Sequence, residues 1–353
     1  MKVVFRVDAS IHIGTGHVMR CLTLAQALRG SHIHSEFICY KHNGNLIDKI
    51  RLNGFNVHEL SGSMERYDDK SHYSYWLGAT QQKDAEDCIR ILKKIKVDWL
   101  VVDHYGIDES WQQELKPYHK KLMVVDDLAN RKHQCDILLD QTFGRKQKDY
   151  ERFVPKSCKL LLGSRYALLR AEFTKWREYS IKRRNDPYFK KLLINMGGVD
   201  INNFTEKILK ELENCTFLSD VDIIVIMGQL APNLESVKKT AEALRYKVEV
   251  KVDADNMAEI MANSDLAIGA SGSTTWERCC LGLPTIQLVI ARNQYMIAKI
   301  LAEKNIIKTI KNIKKLPNTM SNAIIHMEEL SNASREVSDG MGSKRVLHSM
   351  LEH

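Results

Sequence analysis

The first loop of the chain carries residue types that could perform acid–base chemistry. Gly14, Gly16 and His17 follow the apolar run Val3–Asp8, and a helical pattern begins at about His17. Glycines let backbone N–H groups approach an anion at a helix start, and the positive end of the helix disfavours imidazolium. We therefore expect His17 to stay neutral and accept a proton. A histidine that only caps or packs is the alternative interpretation.

Two familiar phosphate-binding motifs do not occur in the sequence. The dinucleotide fingerprint G-x-G-x-x-G has Met19 at its third glycine position. The acidic residue expected after the second strand is also missing, because that strand ends at Tyr40 and Lys41. No G-x-x-x-x-G-K-[ST] motif is present. The sequence therefore disfavours a nicotinamide cofactor and a P-loop ATPase.

A second candidate site lies in the stretch GASGSTTWERCCLGLP, which places small residues and hydroxyls between a strand and a helix. Such a junction suits a pyrophosphate. Glu277 lies one turn into the helix, where a carboxylate can bind both hydroxyls of a ribose. An ordinary turn is the alternative for a loop of this composition. The loop residues are Gly269, Ala270, Ser271, Gly272 and Ser273.

Two acidic clusters, Asp103–Tyr105 and Asp126–Asp127, each end an apolar run. Carboxylates beside a histidine can hold a metal ion. No H-E-x-x-H or comparable ligand spacing appears, so we expect no catalytic metal. Helix N-caps and hydrogen bonds between loops are the alternative roles for these residues.

The elements that must position these loops follow an α/β pattern. Apolar runs rich in Val, Ile and Leu indicate buried parallel strands, with helical patterns between them. In the first half the predicted strands are Val3–Asp8, His34–Tyr40, Asp98–His104, Leu122–Asp127, Ile137–Gln141 and Lys159–Gly163. The predicted helices there are His17–Leu28, Gly44–Asn53, Asp84–Ile95 and Asp108–Leu115.

The pattern restarts at Lys191. Its predicted strands are Leu192–Met196, Asp222–Met227, Val248–Val252, Leu266–Ala270 and Thr285–Val289. Its predicted helices are Asn203–Leu212, Asn233–Leu244, Met257–Asn263, Thr275–Leu281 and Asn293–Glu303. The charged segment Arg165–Arg184 is predicted to be helical, and Pro317–His353 to form two helices, the last packing back across the domain junction. We predict two Rossmann-like domains, 1–164 and 165–353, whose parallel sheets face a central cleft.

Composition narrows the class of protein. The 353 residues are 44% hydrophobic and 27% charged, with a formal net charge of +8. This balance suits an anionic small substrate as well as nucleic acid, but no nucleic-acid-binding motif occurs. The eight cysteines form no C-x-x-C pair, and no apolar run could span a membrane. We expect a cytoplasmic protein with a small-molecule partner and neither nucleic acid nor membrane as partner.

Several motifs, in order, resemble the UDP-2,4-diacetamido-2,4,6-trideoxy-β-L-altropyranose hydrolases of the pseudaminic acid pathway. The family's opening motif R-x-D-x-S-x-x-I-G-x-G-H-x-x-R-C-x-x-L-A is complete from Arg6 to Ala25. Its D-H-Y stretch matches Asp103–Tyr105, and its D-D-L-A-D-R…D-Q stretch matches Asp126–Gln141 with Asn130 in place of an aspartate. Leu161–Phe173, the stretch MGGVDINN and the second loop are similar as well.

The resemblance implies a GT-B fold, like that of the glycosyltransferase that makes the lipid-linked peptidoglycan precursor. It also implies hydrolysis of the sugar C1–O bond, which releases UDP and the free sugar without a metal or cofactor. His17 would be the base, Tyr105 would orient water or sugar, and Glu277 would bind the ribose. The implied substrate-binding residues are Asp8, Gly14, Gly16, Arg20, Tyr105, Ala270, Ser271, Gly272, Ser273, Glu277, Asn293 and Gln294.

The implied chemistry leaves alternatives open. Direct displacement by water would invert the anomeric centre, whereas retention needs a carboxylate nucleophile, for which Asp8 is the obvious candidate. A GT-B glycosyltransferase that uses a UDP-amino sugar would share the nucleotide site but need an acceptor. A non-catalytic nucleotide-sugar-binding protein is the third possibility, although pure binding would not need a base at His17.

Overall fold

The computed structural model describes residues 1–61, 73–215, 220–290 and 294–353. The chain divides into two compact units. The first unit comprises Met1–Leu168 together with Gly342–His353, and the second comprises Leu169–Met341. The domain boundary at 164/165, with the last helices packing back across the junction, stays a prediction from the sequence.

The first unit is built on a parallel sheet of seven strands in the order β3-β2-β1-β4-β5-β6-β7. Its strands are β1 Lys2–Val7, β2 His34–Tyr40, β3 Asn56–Leu60, β4 Trp99–Asp103, β5 Lys121–Val125, β6 Ile137–Asp140 and β7 Lys159–Leu162. Its helices before the second unit are α1 Gly16–Gly30, α2 Ile47–Leu52, α3 Gln81–Leu92 and α4 Glu109–Leu115, with a 3₁₀ turn at Tyr73–Leu77.

The second unit has a parallel sheet of six strands in the order β10-β9-β8-β11-β12-β13. Its strands are β8 Lys191–Asn195, β9 Asp222–Met227, β10 Val248–Val252, β11 Leu266–Ala270, β12 Thr285–Leu288 and β13 Lys308–Ile310. Its helices are α5 Ala171–Arg183, α6 Phe204–Leu212, α7 Leu234–Ala243, α8 Met257–Ala262, α9 Thr274–Cys280, α10 Tyr295–Glu303, α11 Leu316–Ile325 and α12 Met327–Arg335.

The prediction of two helices in Pro317–His353 is wrong, because this tail contains α11, α12 and a further helix, α13 Gly342–Glu352. Val346 and Met350 of α13 are buried in the core of the first unit. A side chain at Gly342 would lie 2.1 Å from the carbonyl oxygen of Ala167, so only glycine lets α13 begin against that strand-to-helix connection. No helix of the described ranges is long and apolar enough to cross a membrane.

Each sheet has one point where the strand order reverses. In the first unit it lies between the adjacent central strands β1 and β4, and in the second between β8 and β11. Ligands of open parallel sheets bind outside the carboxyl ends of the strands at such switch points. Both predicted functional loops lie there, since one follows β1 and the other follows β11.

Candidate active site

A tight loop joins β1 to α1 at the switch point of the first sheet. The N–H of Gly14 donates to the carbonyl of Ser10 over 2.8 Å, and the Ser10 hydroxyl accepts from the N–H of Ile13 over 2.9 Å. Gly14 has a φ of +82°, a conformation that glycine adopts without strain. Gly16 is the first residue of α1 and His17 the second, so this loop fixes where the His17 side chain begins.

His17 contacts a carboxylate at the end of the neighbouring strand. Its Nδ1 lies 2.6 Å from Oδ1 of Asp103, the last residue of β4, whose side chain is 0% exposed. Burial opposes ionisation of Asp103, but the charges of Arg20 and His17 outweigh it and hold the pKa of this carboxyl well below its usual value. An ionised Asp103 accepts a hydrogen bond from Nδ1–H, and in the tautomer that carries its proton on Nδ1 the other nitrogen, Nε2, can accept a proton.

Arg20, one turn further along α1, joins Asp103 to a second carboxylate. Its Nε and Nη2 donate to the two Asp103 oxygens over 2.6 Å each, and its Nη1 donates to Asp127 over 2.5 Å. The Tyr105 hydroxyl donates to the same Asp127 oxygen over 2.9 Å. The structure therefore brings His17, Arg20 and Tyr105 together through two aspartates.

Aromatic rings border this network on one side. The His17 ring lies edge-on to Tyr105, with 4.7 Å between the centroids, and Trp76 stacks on Tyr105 at 5.5 Å. Trp76 was not singled out in the sequence, because nothing in its local pattern links the turn Tyr73–Leu77 to His17. Aromatic faces around a few polar groups are typical of small-molecule sites.

Asp8 lies in a separate buried cluster. Its Oδ1 accepts from the N–H of Tyr40 over 2.7 Å and lies 2.7 Å from Arg6, and its side chain is 0% exposed. His104 Nε2 is 3.5 Å from the other Asp8 oxygen, and burial lowers the pKa of His104 to about 3. These contacts favour a structural role and disfavour Asp8 as a nucleophile. Its place among the substrate-binding residues stays a prediction.

At the switch point of the second sheet, a buried arginine supports the loop after β11. A side chain at Gly269 would lie 2.5 Å from Nη1 of Arg278, so glycine allows the guanidinium to lie against the strand. Arg278 is 1% exposed, and its Nη2 donates to the carbonyl of Ala270 over 3.0 Å. Burial lowers the pKa of Arg278 to about 10, because the nearby negative charge, including that of Glu277, does not offset the loss of solvation.

Four polar atoms near this loop are buried without a hydrogen-bond partner in the described part of the chain. They are Ser271 Oγ, Asn195 Oδ1, Gln287 Oε1 and Arg278 Nε. Asn195 ends β8 and Gln287 lies in β12, next to β11 on either side. Buried polar atoms without partners are costly and rare. Sequence reasoning missed Asn195, Gln287 and Arg278, although a polar residue within an apolar strand was an available signal.

The remaining predicted residues have mixed environments. Glu277 lies 3.8 Å from Nη2 of Arg170, and burial raises the pKa of Glu277. Ser273 precedes α9 without a side-chain cap, and the N–H of Gly272 contacts the hydroxyl of Thr275 at 3.4 Å.

The two predicted sugar-facing residues precede α10 in the sequence. The Gln294 side chain accepts a hydrogen bond from the N–H of Ile290 over 3.4 Å. Asn293 lies outside the described residues. Within the described ranges no group of three His, Cys, Asp or Glu side chains could hold a metal ion.

Comparison with known proteins supports the sequence-based expectation. Residues 194–349 match the glycosyltransferase family 28 C-terminal domain. The chain is 31% identical over 305 residues to the UDP-2,4-diacetamido-2,4,6-trideoxy-beta-L-altropyranose hydrolase of Campylobacter jejuni, which covers 86% of this chain and 97% of that protein. It is 30% identical over 297 residues to an uncharacterized protein of Methanocaldococcus jannaschii, and this match covers 82% of the chain but only 55% of that relative.

The fold has solved counterparts at low sequence identity. The crystal structure of Acinetobacter baumannii MurG superposes with a TM-score of 0.67 at 14% identity and covers 100% of this chain and 99% of that one. Identity at this level supports a shared fold only. The prediction of a GT-B fold with two Rossmann-like domains is confirmed.

Proposed function

Because the chain belongs to the UDP-2,4-diacetamido-2,4,6-trideoxy-β-L-altropyranose hydrolase family, we propose that it hydrolyses this nucleotide sugar to UDP and the free sugar. Family membership makes it an enzyme of nucleotide-sugar metabolism. The finer proposal is that water attacks C1 in a single displacement that inverts the anomeric centre, as a step in pseudaminic acid biosynthesis. No metal is required in this scheme.

The contact between His17 and Asp103 carries the proposal. Asp103 holds the proton on Nδ1, 2.6 Å away, so Nε2 is available to accept a proton from water. As the water oxygen forms its bond to C1, its proton passes to Nε2, and the C1–O bond breaks with its electron pair leaving on the β-phosphate of UDP. Water is a weak nucleophile at neutral pH, so a positioned base is the most useful group that a protein can add.

The loop after β11 supplies the nucleotide-binding part of the proposal. Ala270, Ser271, Gly272 and Ser273 would bind uridine and pyrophosphate, and Glu277 would bind the ribose hydroxyls. Support comes from the partnerless buried atoms around this loop, because polar groups of a bound nucleotide can satisfy them. Donors aimed at the diphosphate would also stabilise the charge that develops on departing UDP.

A glycosyltransferase that uses a UDP-amino sugar is the second candidate, favoured by the match of residues 194–349 to the family 28 domain. The two candidates differ in the species that attacks C1. A transferase places an acceptor hydroxyl there and is slow with water alone, whereas a hydrolase needs no acceptor. A non-catalytic binding protein would retain affinity for the nucleotide sugar but release no UDP.

UDP release from the purified protein tests the proposal. The protein is incubated with the UDP-linked diacetamido sugar in EDTA, without an acceptor, and UDP is followed over time. Continuous release over many turnovers is expected. No release until a sugar acceptor is added would support the transferase instead. Release that stops in EDTA and returns with a divalent cation would contradict the metal-free scheme.

A further inference from the structure

Arg20 belongs to the network around His17 in a way that conflicts with a role in binding substrate. All three guanidinium nitrogens already donate, two to Asp103 and one to Asp127, over 2.5 to 2.6 Å. The residue is only 6% exposed. Paired donation to one carboxylate fixes both partners in a plane. A guanidinium held in this way has little freedom to reach a diphosphate.

We propose that Arg20 is a positioning residue for the His17 base and not a ligand of the substrate. It fixes the Asp103 oxygen that His17 Nδ1 contacts, and it balances the negative charge beside the ring. This inference rests on the proposed function, in which neutral His17 accepts a proton from water.

The geometry supports the positional part of this role. Asp103 Oδ1 receives both His17 Nδ1 and Arg20 Nη2, while Oδ2 receives Arg20 Nε. Rotation of the carboxylate would break at least one of these bonds, so the oxygen that His17 contacts has a single position. Asp127 in turn holds the other end of the guanidinium. Bases held by a chain of such contacts keep their orientation without substrate.

The charges around His17 support the proposed role of Arg20 in balancing negative charge beside the ring. Two carboxylates stabilise a protonated imidazole beside them, and a protonated ring cannot accept a proton from water. Arg20 bonds both carboxylates, and its positive charge offsets their effect. Among the described residues, the charged and titratable groups around His17 are Arg20 and Cys21 on α1, Asp103, His104 and Tyr105 at the end of β4, Asp127 after β5, and Tyr73 in the 3₁₀ turn.

Histidine NMR on the full chain tests the inference without relying on turnover. The protonation of His17 is followed against pH in the wild type, in Arg20→Gln and in Arg20→Lys, with the signal assigned by its loss in His17→Gln. Arg20→Gln should move the titration midpoint of His17 upward, because a neighbouring cation is lost, and Arg20→Lys, which keeps the charge, should move it by less. The control is Arg29→Gln, an exposed arginine of the same helix that bonds Asn53, which should leave the midpoint unchanged.

Asp127→Asn gives an independent result if Arg20→Gln does not fold. It removes a negative charge from the same network, so the His17 midpoint should move downward. Midpoints that stay in place in both variants, or move in the same direction, would overturn the inference. A failure of the proposed function is distinguishable, because it shows as absent UDP release by the wild type and leaves these titrations readable.

UDP release then separates positioning from substrate binding. If Arg20 positions the base and balances the charge beside it, Arg20→Gln lowers kcat at every pH and most strongly on the acid side of the pH profile, and KM and the UDP dissociation constant stay within about twofold of the wild type. A KM or a UDP dissociation constant raised about tenfold or more, with an unshifted pH profile, would make Arg20 a substrate ligand. An equal fall in kcat at every pH would indicate that Arg20 has only a structural role.

Discussion

The polar groups that hold His17 and those around the loop after β11 differ in how fully they are hydrogen-bonded. In the first unit His17, Arg20 and Tyr105 bond to Asp103 and Asp127, and of this group only Asp127 Oδ1 lacks a partner in the described chain. In the second unit the loop after β11 is surrounded by four buried polar atoms that make no hydrogen bond within the described residues. The network that holds His17 is therefore satisfied by the described protein except at Asp127 Oδ1, whereas the loop after β11 keeps four atoms without a hydrogen bond.

This difference suits the two sites to different roles, the His17 site to catalysis and the loop after β11 to nucleotide binding. A catalytic group works best when its neighbours already hold it in the reactive geometry, because no reorganisation is then needed during the reaction. A binding site gains affinity when the ligand satisfies polar groups that were buried without partners. Changes in the first unit should therefore affect turnover, and changes in the second should affect nucleotide affinity.

The largest expected effect is on turnover in the first unit. His17→Ala removes the only proposed base, so kcat for UDP release should fall by about 10²- to 10⁴-fold, while the UDP dissociation constant measured by calorimetry changes by less than about twofold. His326→Ala, which alters a histidine of the second unit that contacts Glu329, is the control. Turnover that survives in His17→Ala would remove this residue as the base.

Acid should destabilise the first unit before the second. The folded first unit keeps His104 neutral, with its pKa lowered by burial to about 3, and the pKa of both His119 and His133 is lowered to about 4. Below about pH 6.5 the unfolded chain binds protons that the folded unit does not. The free energy of unfolding therefore falls as pH falls towards these values, by up to about 1.4 kcal/mol per pH unit for each histidine.

Hydrogen exchange, measured for each strand, tests this prediction. Between neutral and mildly acid pH, protection should decrease in β1 and β4 more than in β8 and β11 after correction for intrinsic exchange rates. His104→Gln should reduce the pH dependence in the first unit. The second unit contains a single histidine, His326, so equal losses in both units would show that the buried histidines do not control acid stability.

A smaller effect is expected from Ser271→Ala. Its hydroxyl is buried without a partner in the described chain, so its removal should leave the melting temperature unchanged or slightly higher, and weaken UDP binding by about tenfold. Ser264→Ala is the matched control, because its hydroxyl donates to the Ile260 carbonyl over 2.7 Å. That variant should lose about 1 kcal/mol of stability and keep its UDP affinity. A Ser271→Ala variant that loses stability but keeps its UDP affinity would contradict this prediction.

The smallest effect concerns the ribose. If Glu277 binds the ribose hydroxyls, the wild type should bind UDP several-fold more tightly than 2′-deoxy-UDP, and Glu277→Gln should lose most of this preference. Titration of both nucleotides into both proteins measures it. A preference that is unchanged in Glu277→Gln would place the carboxylate away from the sugar, leaving its contact with Arg170 as its role.

Local sequence patterns predicted the central strands and the edge strands β7 and β10 well, but they missed the edge strands β3 and β13. The core strands are continuous apolar runs, whereas β3 (NVHEL) is mostly polar and pairs only with β2, and β13 has three residues. An edge strand needs less burial, so its pattern is weak. The break between α11 and α12, at His326, also has no glycine or proline to mark it.

The sequence identified His17 as a candidate residue but did not predict the network that holds it. His17 was identified from its position after a glycine loop, yet its partner Asp103 lies 86 residues away, a separation that no local spacing reveals. The inward orientation of Arg20 and the contact of Trp76 with His17 depend in the same way on tertiary packing. Sequence predicts which side chains reach a switch point, and the fold decides which of them bond to one another.

Hydrolysis in H₂¹⁸O tests the central claim most directly. The reaction is run in EDTA without acceptor and quenched early, and the oxygen label is located by mass spectrometry while NMR reads the first anomer formed. We predict that the label enters the anomeric hydroxyl of the sugar and not UDP, and that the first anomer has the configuration opposite to the substrate. Label in the phosphate of UDP, or a first product with retained configuration, would contradict attack of water at C1 assisted by His17.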